Sequence, residues 1–201
     1  MVALKRRRRG IEGVHGMIGV YVVIGLGVLL LGYVVIVYNG LVSLRQRVNA
    51  AWSDIDVQMK RRYNLVPNLV ETVKGYAAHE RETLDAVVRA RNEAAANTGT
   101  PAQQAASENM LAGALKLLFA LSEAYPDLKA NQNFADLQKS LNEIEDHIQN
   151  ARRYYNATAR DINTKVEQFP SNLVARQFNF GLAEYFEIED AAARAPVAVD
   201  F

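Results

Sequence analysis

From Gly16 to Tyr38 the chain carries no charged residue, and beyond it the apolar positions fall into helical stripes separated by polar faces. Roughly 23 residues rising about 1.5 Å each extend about 35 Å, enough to cross the hydrocarbon core of a bilayer with modest tilt. Tyr33 and Tyr38 lie toward the far end of the run, where amphipathic rings favour the interface. The run is longer than the apolar region of a cleavable signal peptide, and Asn39-Gly40-Leu41-Val42-Ser43 offers no small-residue cleavage pattern. The pattern predicts a transmembrane helix over 16–38.

Leu41, Leu44, Val48, Ala51, Ile55 and Met59 then alternate spacings of three and four, with Trp52 beside them. This is a helical stripe, and it follows the span without a linker. Pro67 removes a backbone donor and disfavours helical geometry in the residue before it, so a turn is expected at Asn64-Leu65-Val66. Pro67 would open a second helix reaching about Asn97, with Leu69, Val73, Tyr76, Leu84, Val87 and Val88 as its apolar positions. Thr98-Gly99-Thr100-Pro101 reads as a loop, and a third helix runs to about Ala124 with Leu111, Leu115, Leu118 and Leu121 inward. After Tyr125-Pro126-Asp127, the series Phe134, Leu137, Leu141, Ile144, Ile148, Ala151, Tyr155, Thr158 and Ile162 keeps a strict heptad. Strand patterns are absent. The expected fold is all-α: one N-terminal transmembrane helix followed by an antiparallel four-helix bundle with long coiled-coil-like helices over 40–168. A mere kink at Pro67 would give a longer three-helix coiled coil instead.

The last stretch, 169–201, differs in character. Phe169, Phe178, Phe180, Tyr185, Phe186 and Phe201 crowd into it, and Pro170 and Pro196 interrupt helix. An even number of antiparallel helices returns the chain to the membrane, so this tail should begin near the bilayer. Its aromatics can cap the bottom of the bundle, touch the membrane interface or dock a partner protein.

Composition narrows the functions open to such a molecule. The 201 residues give room for the anchor and one compact domain, and the net charge is only +1, so no nucleic-acid surface is expected. Without cysteine there is no disulfide, thiol chemistry, Cys-based zinc site or Cys-linked lipid. The Lys5–Arg9 cluster precedes the span, whereas Arg45 and Arg47 are the nearest basic residues after it. The positive-inside rule then keeps a basic N-terminus, 1–15, in the cytoplasm and sends the rest outside. Gly25, Gly27 and Gly32 are small-residue positions in the span, but they do not form G-x-x-x-G, so a homo-oligomer is only one possibility.

Candidate chemistry is sparse. A bundle-type di-metal site requires Glu-x-x-His pairs on two helices, and of His15, His79 and His147 only His15 has that spacing, outside the bundle. Glu143 and His147 share a helix face as a weak two-ligand alternative, more simply read as a solvated pair. No hydrolase, phosphate-loop or dinucleotide fingerprint occurs, so no catalytic, cofactor or metal residues are expected. Two similar basic–aromatic clusters stand out, Lys60-Arg61-Arg62-Tyr63-Asn64 and Arg152-Arg153-Tyr154-Tyr155-Asn156. They suit either ion pairing with neighbouring acids or recognition of an acidic partner segment.

The run Arg61-Arg62-Tyr63-Asn64-Leu65-Val66-Pro67-Asn68-Leu69-Val70-Glu71-Thr72-Val73-Lys74-Gly75-Tyr76, then His79-Glu80, resembles the signature of the LemA family. So do Ala124-Tyr125-Pro126-Asp127-Leu128-Lys129-Ala130-Asn131, Ala151-Arg152-Arg153-Tyr154-Tyr155-Asn156 and Phe169-Pro170-Ser171-Asn172-Leu173 with Tyr185-Phe186. The resemblance covers about 40–201 and implies a bacterial-type membrane protein with a helical-bundle domain. It also implies no established enzymatic activity, no cofactor and no residues with assigned roles. Family descriptions tend to place the short N-terminus outside the cell, opposite to what the Lys5–Arg9 charges favour. The expected function is a non-enzymatic, single-pass scaffold or interaction module that engages a membrane or envelope protein. Candidate interaction residues are Arg61, Arg62, Tyr63, Arg152, Arg153, Tyr154, Phe169, Phe178, Phe180, Tyr185 and Phe186. The alternatives are a metal-dependent sensor or enzyme centred on His147 and a self-assembling membrane-remodelling protein.

Overall fold

A computed structural model of the chain describes residues 2–187, with side chains at 17 and 19–187. The side chains of the basic cluster at 5–9, and Pro196 and Phe201 of the tail, lie outside the described residues. Six helices occur among those described: α1 (Val2–Lys74), α2 (Arg81–Ala96), α3 (Pro101–Ser122), α4 (Pro126–Lys129), α5 (Gln132–Glu167) and α6 (Ser171–Gln177). The protein is thus all-α, with one N-terminal apolar helix that leads into a multi-helix bundle.

The apolar run packs on nothing for most of its length, with Leu29, Leu31 and Ile36 exposed, as a lipid-facing segment must be. Burial begins at Val37 and Leu41 and follows the predicted stripe through Val48, Ala51, Ile55 and Met59. No break separates span from bundle.

Helix α1 also passes through Pro67, contrary to the expected turn at 64–66. A proline at this position removes the donor for the carbonyl four residues earlier, at Tyr63. Arg91 of α2 replaces it, its Nε donating to the Tyr63 carbonyl oxygen at 3.0 Å. The polypeptide turns instead over Gly75–Glu80, where glycine, a poor helix former, follows the last helical residue. Leu69 and Val73 consequently belong to α1, and the second helix starts only at Arg81.

After this turn α2 doubles back along the outer part of α1, so that Ala94 near its end lies beside Tyr63. Thr100 begins α3 with a capping box: its hydroxyl accepts from Gln103 N, and Gln103 Oε1 accepts from Thr100 N. Asn131 caps α5 by accepting from Phe134 N at 3.0 Å. Helix α5 then returns along α1 toward the span, with its heptad positions Phe134, Leu141, Ile144, Ile148, Tyr155 and Ile162 buried. One continuous core joins α1, α2, α3 and α5.

Helices α2 and α3 lie beside the outer part of α1, near Arg62 and Tyr63, leaving its membrane-proximal part with only α5 and, around Val37 and Leu41, α6. The tail after α6 fills that deficit. Phe186 is fully buried, and its ring meets Trp52, which also meets Tyr155, at centroid distances of 5.3 and 5.4 Å.

Candidate functional site

The two arginine–tyrosine clusters are drawn into one polar network across the middle of the bundle. Arg62 continues the apolar stripe of α1 three residues beyond Met59, so its guanidinium enters the core and is only 2% exposed. It forms an ion pair with Glu108 of α3, itself 1% exposed, and its Nη1 donates to Glu145 Oε2 of α5 at 2.7 Å. The Tyr63 hydroxyl also donates to Glu108. Gln149 Nε2 donates to the other Glu145 oxygen at 3.1 Å, and Arg152 Nη2 donates to Gln149 Oε1 at 2.6 Å. Arg62 and Arg152 are therefore linked through Glu145 and Gln149.

Desolvation pulls the Arg62 guanidinium below its ordinary range, against the Glu145 and Tyr63 charges that raise it. Burial raises the Tyr63 hydroxyl, with the Arg62 charge opposing. A buried charge of either sign is tolerated only when paired, and here one guanidinium bridges carboxylates from two other helices. The arrangement fixes register among α1, α3 and α5. Arg61, Arg153 and Tyr154 point outward from the same clusters, Arg153 donating locally to Asn150.

The aromatic tail divides similarly. Phe180 and Phe186 are buried, while Phe169, Phe178 and Tyr185 are exposed. Helix α6 closes in a Schellman turn: Phe180 N donates to Ala175 O and Asn179 N to Arg176 O, with Asn179 at φ 55°. This directs Phe178 and Phe180 onto Tyr38, at centroid distances of 4.8 and 5.8 Å, and brings Phe180 beneath the Arg45 guanidinium at 5.0 Å. The chain beyond is strapped to α5 by two asparagines. Asn163 exchanges hydrogen bonds with Ala183 (2.7 and 2.9 Å), and Asn156 does so with Phe186 (2.9 and 3.1 Å). Seven helical residues rise about 10.5 Å and three extended residues span about 10 Å, which is why the pairs match.

At the far end, α1 and α2 flank an open cleft of about 390 Å³ lined by Val70, Glu71, Lys74, Ala78, Arg81, Leu84, Asp85 and Val88. A smaller one of about 150 Å³ adjoins it past Pro67 and Arg91. His147 is exposed, and Glu143 faces Lys139 Nζ at 4.0 Å. Among the described residues no group of three or more His, Asp or Glu side chains is arranged to hold a metal ion.

Glu108, Glu145, Arg91 and Asn163 were not among the residues expected to matter, and Asn156 stood out only as the end of the second arginine–tyrosine cluster. Glu108 had a signal: counted back from Leu118, Leu115 and Leu111, it occupies the next inward position of its stripe. A charge there, matched by Arg62 on the stripe of α1, marks a buried pair.

Among characterised proteins, the chain is similar to magnetosome protein MamQ 2 of Paramagnetospirillum magneticum, 29% identical over 185 residues, which covers 80% of this chain and 68% of that protein. It is 27% identical to magnetosome protein MamQ of Magnetospirillum gryphiswaldense over the same extent, 80% and 68%. Protein LemA of Metamycoplasma hominis is 28% identical over 157 residues, 75% of this chain and 70% of that protein. The sequence profile of the LemA family matches residues 51–201, which include α2 to α6, the buried Arg62–Glu108–Glu145 network and the strapped tail. This chain, a helical protein anchored by one membrane span, belongs to the LemA family.

Proposed function

We propose that the protein is a non-enzymatic interaction module of the bacterial envelope, mounted rigidly on its anchor. The N-terminus is cytoplasmic and the bundle extracytoplasmic, and the partner is a membrane or envelope protein. The observation that carries this reading is the continuity of α1 from the span to the far end of the bundle. A flexible tether would let a domain sample many orientations, whereas an unbroken helix braced by α5 offers the same surface at a fixed height above the membrane. The distal α1–α2 cleft, with apolar floor and both signs of charge at its rim, is the surface best suited to a partner helix or loop. Arg61, Arg153 and Tyr154, exposed on the flank, are further contact candidates. The packing of α1, α2, α3 and α5 supports an antiparallel four-helix arrangement in the outer part of the domain.

Photo-crosslinking from position 88 in intact cells tests the function. The expected result is one discrete adduct, lost when Glu71→Arg and Asp85→Arg invert the rim. Absence of any adduct from position 88 and from Tyr154 overturns it, and an adduct containing only this chain replaces the partner with a homo-oligomer. Orientation is tested separately by adding trypsin to intact and lysed cells: digestion of the bundle in intact cells supports it, and protection until lysis reverses it.

A further inference from the structure

The exposed aromatics beside the span form a continuous surface with it. Helix α6 packs Val174 and Ala175 against Val37 and Leu41 of α1, with Val34 and Val42 around them. These positions straddle Tyr38, the end of the expected span, and the first charged residue beyond it is Arg45. The level of α6 along α1 is thus the membrane boundary itself. Phe169, in the turn that leads into α6, is 74% exposed and Leu173 on α6 is 58% exposed, and Phe178 is exposed against Tyr38. A singly exposed apolar side chain is ordinary on a protein surface, but these adjoin a surface that is already lipid-facing.

We infer that α6 and its flanking aromatics are an interfacial foot, inserting Phe169 and Leu173 into the same phospholipid bilayer that α1 crosses. The occupant is lipid because this patch is a sideways extension of the span, at the depth where aromatic rings accumulate. The charges around it are mixed: Arg45, Arg47 and Arg176 are exposed, but so are Glu167 and Glu184. Insertion should accordingly be apolar and indifferent to the content of anionic lipid, unlike a polybasic surface. The foot would brace α1 at the membrane and prevent the bundle from swinging about the span.

The test uses the full chain in vesicles of phosphatidylcholine, with or without bromine on the upper acyl carbons. Trp52 is the single tryptophan, so Trp52→Phe provides a silent background for Phe169→Trp or Leu173→Trp. Each probe should lose about half or more of its emission in brominated vesicles, because tryptophan at the boundary touches the labelled carbons. Leu117→Trp, exposed on α3 in the outer part of the bundle, should lose none. The loss should not change when phosphatidylglycerol is added. Unquenched probes at both 169 and 173 overturn the inference; if their emission is nevertheless blue-shifted, a protein surface covers the patch instead. Should the variants misfold, the native chain is read by photolabelling from a diazirine lipid. Label on the peptide 169–177 supports the foot, and its absence overturns it.

Discussion

Arg62 and Glu108 form an ion pair buried between helices, with side chains 2% and 1% exposed. Each was taken from water into a helical core, and desolvation offsets much of their attraction. Removing one partner is a different matter, because the other remains buried and uncompensated. Arg62→Ala should lower stability by about 3–5 kcal/mol, and Arg62→Leu combined with Glu108→Leu should recover most of that loss. Urea unfolding of the full chain in detergent, followed by Trp52 fluorescence, measures both; equal losses in the single and double variants would contradict the pairing. The tyrosines give a second, pH-dependent signature. Burial raises the hydroxyls of Tyr63 and Tyr155 above their ordinary value of 10.0. The unfolded chain therefore releases these protons at lower pH than the folded one. Their contribution is complete below the unfolded value and lost as pH rises through the folded one. Tyr63→Phe should flatten the decline of stability above that point, even though it removes the bond to Glu108. Sequence showed the Arg62 cluster as a motif but not its direction, because a basic–aromatic run is equally compatible with an outward face. Reading the stripes of α1 and α3 together would have turned it inward.

At the scale of elements, the prediction that failed did so for a reason visible at one carbonyl. Pro67 was expected to end a helix, and the helix continued because Arg91 replaces the donor that proline lacks. Such repair depends on a residue 28 positions away in sequence, which no local pattern reveals. It leads to a coupled outcome: Arg91→Ala should cost about 1–3 kcal/mol with Pro67 present, since the Tyr63 carbonyl is left unsatisfied. In a Pro67→Ala background, where the backbone supplies its own donor, the same change should cost well under half as much. A double-mutant cycle on thermal unfolding decides this, and additive losses would refute the repair. The tail was illegible for a related reason. Irregular chain has no period, and its position is set by Asn156 and Asn163, whose amides imitate a strand partner for Phe186 and Ala183. Asn156→Ala should free that segment, raising amide hydrogen exchange over 183–187 while α5 stays protected. Unchanged exchange would mean that the Phe186 ring alone holds the strap. The stripes of α1 and α5, in contrast, were readable position by position, because apolar spacing on a long helix is local information.

At the scale of the molecule, the absence of a linker after Tyr38 has a measurable geometric consequence. About 36 residues separate Tyr38 from Lys74, and at about 1.5 Å each the end of α1 should stand about 54 Å beyond the boundary if it rises straight from the membrane. Tilt shortens that height but leaves it single-valued, whereas a hinge would make it a broad distribution. Two features oppose a hinge at the boundary: the intact backbone of α1, and α6 packed across Val37 and Leu41. A fluorophore at exposed His79, with acceptor lipids in the bilayer surface, should report one narrow distance population in the native chain. Four glycines inserted after Gly40 interrupt α1 and shift Leu41 away from Val37, so the population should broaden toward shorter distances. If the inserted and native chains give the same distribution, α1 does not act as a rigid mount. If insertion broadens it only when Val174→Asp is also present, α6 rather than the helix backbone carries the stiffness. Either result assigns the rigidity of the membrane junction to a named contact, and with it the orientation in which the distal cleft is presented.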